Sequence, residues 1–365
     1  MSTELTEEVA LQPEGVPAQE AETGGGGVGG AMGEESAPRQ PATDAQPDVT
    51  GAPEGVDLSS RRLLVAGVAE ADLDPKAERL GSNDGLWLLQ YASEQDAAWA
   101  YDYYRHDRAA ELVEPDVAVA AADEGKMGAE VPAGSVAATP MTAADNPVAE
   151  LSDAKASGEA AAAAEATERD YVVALVDTGY ADDGLVSATS VLGEATADDN
   201  GHGTAMAGHI REEHPEAKIL SVKALDATGT GTTSSVYAAI EYAVEAKASI
   251  VDLSLSAWAT EGNAVVERAI DDAVAAGVVV VGAAGNNGTD AKYTVPGRVA
   301  SAVVAGAADA DGNRIASSNY GDTVDAYVAA GSTSEAAARM SGRLAARRAT
   351  TANAESLARE AANAE

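Results

Sequence analysis

The strongest constraint on this chain lies in residues 169–349, where short apolar runs alternate with helix-patterned stretches. "YVVALVD", "AKILSVKAL", "ASIVDLSL", "GVVVVGAAG" and "ASAVVAGAA" are rich in Val, Ile and Ala and lack the polar alternation of a half-exposed strand. That near-continuous apolarity is the pattern of strands covered on both faces. Between them, "GTAMAGHIREE", "TTSSVYAAIEYAVEAK" and "NAVVERAIDDAVAAG" read as helices. The alternation predicts an α/β fold: a doubly wound parallel sheet in a three-layer αβα arrangement. Functional groups in such a sheet gather at the carboxyl ends of the strands. The core must be built from Ala, Val, Leu and Ile, because the chain has no Phe.

The 365 residues leave room for more than this domain. Residues 1–57 carry 12 acidic residues against one basic residue, Arg39, together with the run "TGGGGVGG" and scattered prolines. There is too little to bury, so they are expected to be a disordered acidic region. Residues 58–121 change character. "RRLLVAGV", "GLWLLQYA" and "AELVEPDVAVA" read as strands. "SEQDAAWAYDYYRHD" reads as a helix with a capping pattern at Ser93 and Asp96 and an apolar face at Ala97, Ala98, Tyr101 and Tyr104. This predicts a small α+β domain. Residues 122–168, rich in Ala, Gly, Pro and acid, are expected to be a linker open to proteolysis. Residues 169–365 form the α/β domain, and no internal repeat is evident.

Charge and composition exclude several function classes. With 60 acidic and 23 basic residues, the formal net charge is −37. Such a surface repels nucleic acid and anionic membrane, so neither is expected as a partner. It also fits solubility in a saline habitat. Without cysteine, the chain has no disulfide, no zinc–thiolate site and no thiol nucleophile. No run approaches the roughly 18 apolar residues of a membrane span. The start, "MSTELTEEVA", is acidic and lacks the apolar core of a secretory signal.

Four positions stand out where strands end or helices begin. Asp177 ends the apolar run of "VALVDTG", where a carboxylate is expensive unless it is partnered; by itself it also reads as a turn or cap residue. His202, between two glycines in "DDNGHGTAMAG", opens a helix of small residues. A shared metal ion with His209 is excluded by spacing. Seven residues of helix span roughly 10 Å, whereas a metal–imidazole bond is about 2 Å. His214 reads as a surface residue and His106 belongs to the N-terminal unit. Asn286, in "VVVVGAAGNNG", is either a turn former or an amide donor for developing negative charge. Ser334, in "GSTSEAAARMSG", is either a cap or a nucleophile near the free N–H groups of a helix start. Independent structural explanations for all four, in the order Asp, His, Asn, Ser, are improbable.

"VDTG", "GHGTAMAG", "AAGNNG" and "TSEAAARMSG" resemble the four signatures of the subtilisin-like serine proteases, the subtilase family (peptidase S8). The resemblance covers about half the chain. It implies a subtilisin-like sheet and Ser-His-Asp acyl-enzyme chemistry. In that scheme Ser334 is the nucleophile, His202 the general base and acid, and Asp177 the group that orients the imidazole. Asn286 and the Ser334 backbone N–H form the oxyanion hole. "SLS", Ser254, Leu255 and Ser256, is similar to the family's substrate-pairing edge, with Ser256 in place of the usual Gly. Residues 58–121, ending in "VEPDVAV", resemble the family's inhibitory propeptide; an unrelated ferredoxin-like binding module is the alternative. The implied partners are a polypeptide substrate and the chain's own N-terminal unit. No cofactor is implied; calcium is possible by resemblance, but no clear binding loop is visible. The resemblance implies secretion, whereas the start of the chain favours the cytoplasm. Ser332, Glu335 and Ala338 depart from the usual Gly, apolar residue and Pro, and the segment before Thr333 is short. Glu335 sets a carboxylate beside the proposed oxyanion hole, where it is expected to oppose the developing charge. These departures motivate an alternative: a catalytically degenerate subtilase fold that binds peptides.

Overall fold

A computed structural model describes residues 56–83, 85–106, 110–122, 171–181, 185–259 and 263–362. The expectations for the acidic region and for the linker fall outside these residues, apart from positions 56, 57 and 122. The chain divides into residues 1–45 and 46–365, and all that follows concerns the second unit.

The N-terminal lobe contains β1 (Arg62–Ala66), β2 (Glu78–Asn83), β3 (Leu86–Gln90), α1 (Glu94–His106) and β4 (Leu112–Pro115). They form an antiparallel sheet in the order β2-β3-β1-β4. The period of two in β1 explains how the lobe sits. Leu63 and Val65 pack under α1 with Leu89, Tyr101 and Tyr104. Leu64 and Ala66 point the other way and join the core of the α/β domain. Ser93 caps α1, accepting from the Asp96 N–H at 3.1 Å, and its hydroxyl donates to the Asp96 carboxylate at 2.6 Å. The strand β2, "ERLGSN", has no alternating apolar pattern and escaped the sequence reading.

"AELVEPDVAVA" is not the single strand its composition predicts. It breaks after Pro115, and β5 (Ala118–Ala121) leaves the lobe for a different sheet. The break lies at Asp116, whose carboxylate turns into the start of a helix of the neighbouring domain.

The α/β domain follows the predicted alternation: β6 (Val172–Asp177), β7 (Leu185–Ser190), α2 (His202–Glu213), β8 (Lys218–Lys223), β9 (Thr230–Thr232), α3 (Thr233–Glu245), β10 (Ile250–Leu253), β11 (Leu255–Trp258), α4 (Ala264–Ala275), β12 (Val279–Ala283), β13 (Thr294–Val295), β14 (Val303–Ala308), β15 (Ala326–Ala329), α5 (Thr333–Ala346) and α6 (Ala354–Ala362). Seven strands make a parallel sheet in the order β15-β14-β12-β10-β6-β8-β7. Val172, Ala174 and Val176 face α3 and α4, whereas Val173 and Leu175 face α2 and α5. Both faces of β6 are therefore dry, which is why its sequence shows no polar alternation. Each fully buried Val or Leu contributes about 1.5–3 kcal/mol. The edge strands β7 and β15 were not predicted; every residue of β7 is only half-buried, so its apolar signal is weak.

A second sheet, in the order β13-β11-β5-β9, lies at the carboxyl end of β10. In it β5 lies antiparallel between β11 and β9.

Candidate active site

Asp177 is the last residue of β6 and His202 the first of α2. His202 Nδ1 donates to both Asp177 oxygens, at 2.8 and 2.9 Å. This supplies the partner that a 1 % exposed carboxylate requires. The approach depends on Gly203: a Cβ there would sit 2.2 Å from the Gly179 carbonyl oxygen and 3.2 Å from Asp177 Oδ1. Asp198 fixes the start of α2, accepting from Gly201 N–H and from the N–H and hydroxyl of Thr204. Burial raises the Asp198 carboxyl, but these donors and Thr178 outweigh it and hold the group below the usual range. Lys223, opposite Asp177 in the β6–β8 register, is fully buried. Its ammonium donates to the Thr178 and Ala197 carbonyls at 2.8 and 3.1 Å.

Ser334 lies in the first turn of α5, behind Ser332, whose hydroxyl caps the helix by accepting from Glu335 N–H. The Ser334 hydroxyl donates to the carbonyls of Ala122 at 2.6 Å and Ser254 at 3.1 Å. The Asn286 amide also donates to the Ala122 carbonyl. Asn286 is oriented by its other end, since its Oδ1 accepts from Thr333 N–H at 3.0 Å. Gly285 allows this turn. Its φ is +100°, and a Cβ would lie 2.5 Å from Asn319 Nδ2 and 3.2 Å from Ser256 Oγ.

Behind the serine lies a carboxyl group that sequence reasoning missed. Asp252 is fully buried in β10 and accepts from Ser254 at 2.7 Å and from Ser341 at 2.6 Å. The Ser254 hydroxyl also lies 3.0 Å from the Ser334 carbonyl oxygen. Burial pushes Asp252 up to about 6 despite the two hydroxyls; the Asp177 charge raises it further and His202 lowers it. Asp252 is thus within electrostatic range of the Asp177–His202 pair and bonded to the shell of Ser334. A charged residue inside the apolar run "ASIVDLSL" was the available signal, as Lys223 was inside "AKILSVKAL".

Ser254, Leu255 and Ser256 border the strand β5. Ala121 opposes Leu255, Ala120 opposes Ser256, and Ala122 N–H donates to the Ser254 carbonyl at 3.3 Å. From the other side, Ala118, Val119 and Ala120 oppose Thr232, Gly231 and Thr230. Two carboxylates anchor this segment. Asp116 accepts from Ser234 N–H and the Thr233 and Ser234 hydroxyls at the start of α3, and lies 3.3 Å from Arg62 Nε. Glu114 accepts from Val265 N–H at the start of α4 at 2.9 Å. Burial pushes Glu114 up to about 8, outweighing the Val265 and Ala264 N–H groups.

Glu335 has partners in its own helix and in α2. Its carboxylate accepts from Gly331 N–H at 3.0 Å and Arg339 Nε at 2.8 Å and lies 3.8 Å from His209 Nδ1. Burial raises the group, but these partners together hold it below the usual range. The guanidinium one helical turn away is shared with Glu212 and Glu213. Among the described residues, no group of three or more His, Cys, Asp or Glu is placed to hold a metal ion.

Comparison with known proteins places this geometry in context. The model of the Subtilase family matches residues 168–358. Subtilisin Savinase of Lederbergia lenta is 35% identical over 167 residues, covering 42% of this chain and 61% of that protein. The subtilase-type proteinase psp3 of Schizosaccharomyces pombe is 36% identical over 151 residues, 38% of this chain and 33% of that one. The chain thus spans less than two thirds of the length of these relatives. A crystal structure of a cold adapted subtilisin-like serine proteinase aligns at 25% identity with a TM-score of 0.48, covering 51% of this chain and 79% of that one.

Proposed function

Because the chain belongs to the subtilase family, we propose that it is a serine endopeptidase made as a zymogen, and that Ala122–Asp123 is the first bond it cuts. The observation that carries this reading is the Ala122 carbonyl, which accepts from both the Ser334 hydroxyl and the Asn286 amide. An extended strand ends with one carbonyl held between a nucleophile candidate and an oxyanion donor. That sets the carbonyl beside the two groups the family's chemistry would use on it.

In this reading Ser334 Oγ bonds to the Ala122 carbonyl carbon, about 1.2 Å along the C=O bond from the oxygen it touches. With the Nδ1 proton committed to Asp177, His202 uses Nε2 to take the hydroxyl proton. Asp177 stabilises the imidazolium that results. The oxygen's new charge is met by Asn286 and the Ser334 backbone N–H. The Ala122–Asp123 C–N bond breaks as His202 returns the proton to the leaving nitrogen. Water, deprotonated by the same imidazole, then hydrolyses the acyl ester and restores the Ser334 hydroxyl.

Residues 58–121 act in this reading as the inhibitory unit. Glu114 and Asp116 dock at two helix starts, where their carboxyl oxygens accept from otherwise unpaired N–H groups. After cleavage, β5 keeps its place between β9 and β11 and blocks the site until the unit is removed. Substrates are extended polypeptide segments, which pair with β11 as β5 does. Two of the departures that motivate a purely binding role have local partners: Ser332 caps α5, and Glu335 pairs with Arg339. The reading extends to action outside the cell. Among the described residues, no helix is long and apolar enough to cross a membrane.

N-terminal sequencing of the expressed chain beside Ser334→Ala tests this. The expected result is a new N-terminus at Asp123 in the parent and an intact chain in the variant. Two intact chains, or the same cut in both, would overturn the reading.

A further inference from the structure

We propose that Ser256 closes the site beside the attacked residue, so that only glycine, alanine or serine is accepted at that position. The inference rests on the protease reading and concerns the substrate class of the same site. Ser256 stands where a resemblance to subtilases leads one to expect glycine, two residues beyond Ser254, whose carbonyl pairs with Ala122 N–H.

The register defines which side chains share the space. Ser256 opposes Ala120, so both side chains lie on one face of the β5–β11 ribbon. Alternation puts the Ala122 side chain on that same face, two residues on and diagonal to Ser256. Diagonal neighbours are roughly 7–8 Å apart, within reach of a long or aromatic side chain but not of a methyl group. The opposite wall is Gly285, whose absent Cβ position lies 3.2 Å from Ser256 Oγ and 2.5 Å from Asn319 Nδ2. Gly285 is joined directly to Asn286, which holds the Ala122 carbonyl. The Ser256 hydroxyl therefore stands between the two backbone walls that flank the attacked residue.

The space is full with alanine in place. Ala122 and Ser256 are both 0% exposed. The Ser256 hydroxyl is buried and makes no hydrogen bond among the described residues. It is not a member of a polar network, so removing it breaks no hydrogen bond among the described residues and takes away only bulk. The four residues ahead of the scissile bond, Val119, Ala120, Ala121 and Ala122, are the chain's own example of what the site takes. A phenylalanine at position 122, reaching along this face, would need volume that the diagonal Ser256 side chain holds.

Self-cleavage of the full chain reads this directly, because position 122 can be varied in place. The chain is expressed as the parent, as Ala122→Ser, as Ala122→Phe, and as Ala122→Phe combined with Ser256→Gly. Conversion to the form beginning at Asp123 is followed over time. Ala122→Ser is expected to convert at the parental rate within a factor of about three. Ala122→Phe should be slower by tenfold or more, the order of discrimination that one misfitting apolar group produces. Ser256→Gly should restore at least about tenfold of that loss, and Ser256→Ala, which keeps Cβ, a smaller part. Conversion of Ala122→Phe at the parental rate overturns the proposal while leaving the protease reading intact. So does a combined variant that stays as slow as Ala122→Phe while Ser256→Gly alone processes normally. A parent that never converts overturns the protease reading and this proposal with it.

Discussion

Ser334 and Ala122, 212 positions apart in the chain, are joined by a 2.6 Å hydrogen bond from the serine hydroxyl to the alanine carbonyl. Three elements produce that contact. The helix α5 presents the serine, β11 aligns the strand that carries the alanine, and two buried carboxylates hold the segment ahead of it. Each part can be perturbed separately.

Asn286→Ala removes the side-chain donor to the Ala122 carbonyl while leaving Ser334 in its helix. Self-cleavage is expected to slow by about 10²–10³-fold, the usual effect of deleting one oxyanion donor. Measured by conversion of the full-length band, a rate within a factor of three of the parent would remove Asn286 from the chemistry.

Asp177→Asn keeps the shape of the 2.8 Å contact with His202 Nδ1 but replaces the acceptor carboxylate by an amide. The imidazole then loses both its tautomer control and the charge that stabilises imidazolium. A drop on the order of 10⁴-fold in self-cleavage is expected at pH 7.

Asp252→Asn tests the buried carboxyl behind the serine. Burial raises Asp252 from 3.8 to about 6, so the fold favours its protonated form. Its contribution to stability is complete below about pH 3.8 and is lost as pH rises through about 6. In a Ser334→Ala background, which keeps the chain intact, urea unfolding should show the parent losing on the order of 2–3 kcal/mol between pH 4 and 7 relative to the asparagine variant. Parallel stability curves for the two would mean that Asp252 does not titrate in this range.

Glu114→Gln tests how the N-terminal lobe is released. Burial pushes Glu114 up to about 8 at the start of α4, with Asp116 and Glu267 adding to it. Docking therefore favours the protonated side chain, and that contribution is lost as pH rises through about 8. The cleaved lobe should stay bound at pH 6 and dissociate more readily at pH 9, whereas the glutamine variant should show little change between them. Gel filtration of the cleaved chain at the two pH values distinguishes these outcomes.

Much of this was legible from residue order. Runs such as "YVVALVD" and "GVVVVGAAG" lie in the middle of the sheet, where both faces are dry and no polar residue interrupts the pattern. Half-exposed β7 and the irregular β2 were invisible for the converse reason. Asp177, His202, Asn286 and Ser334 stood out because a polar group at a strand end or helix start needs a partner. Asp252 and Lys223 were passed over, since their partners, Ser254, Ser341 and the Thr178 and Ala197 carbonyls, lie on other strands, loops and helices.

The order of apolar runs and helix starts determined by itself that this chain builds a covered parallel sheet with polar groups at one end, because burial periodicity is a local property. What met those groups was decided only by tertiary structure. Residue order did not foretell that "VEPDVAVA" breaks at Asp116 and leaves its lobe, that Ala122 becomes the carbonyl between Ser334 and Asn286, or that Glu335 turns to Arg339. These outcomes depend on distances between residues far apart in the chain. Such distances are set by how the helices and sheets pack, and no local pattern records them.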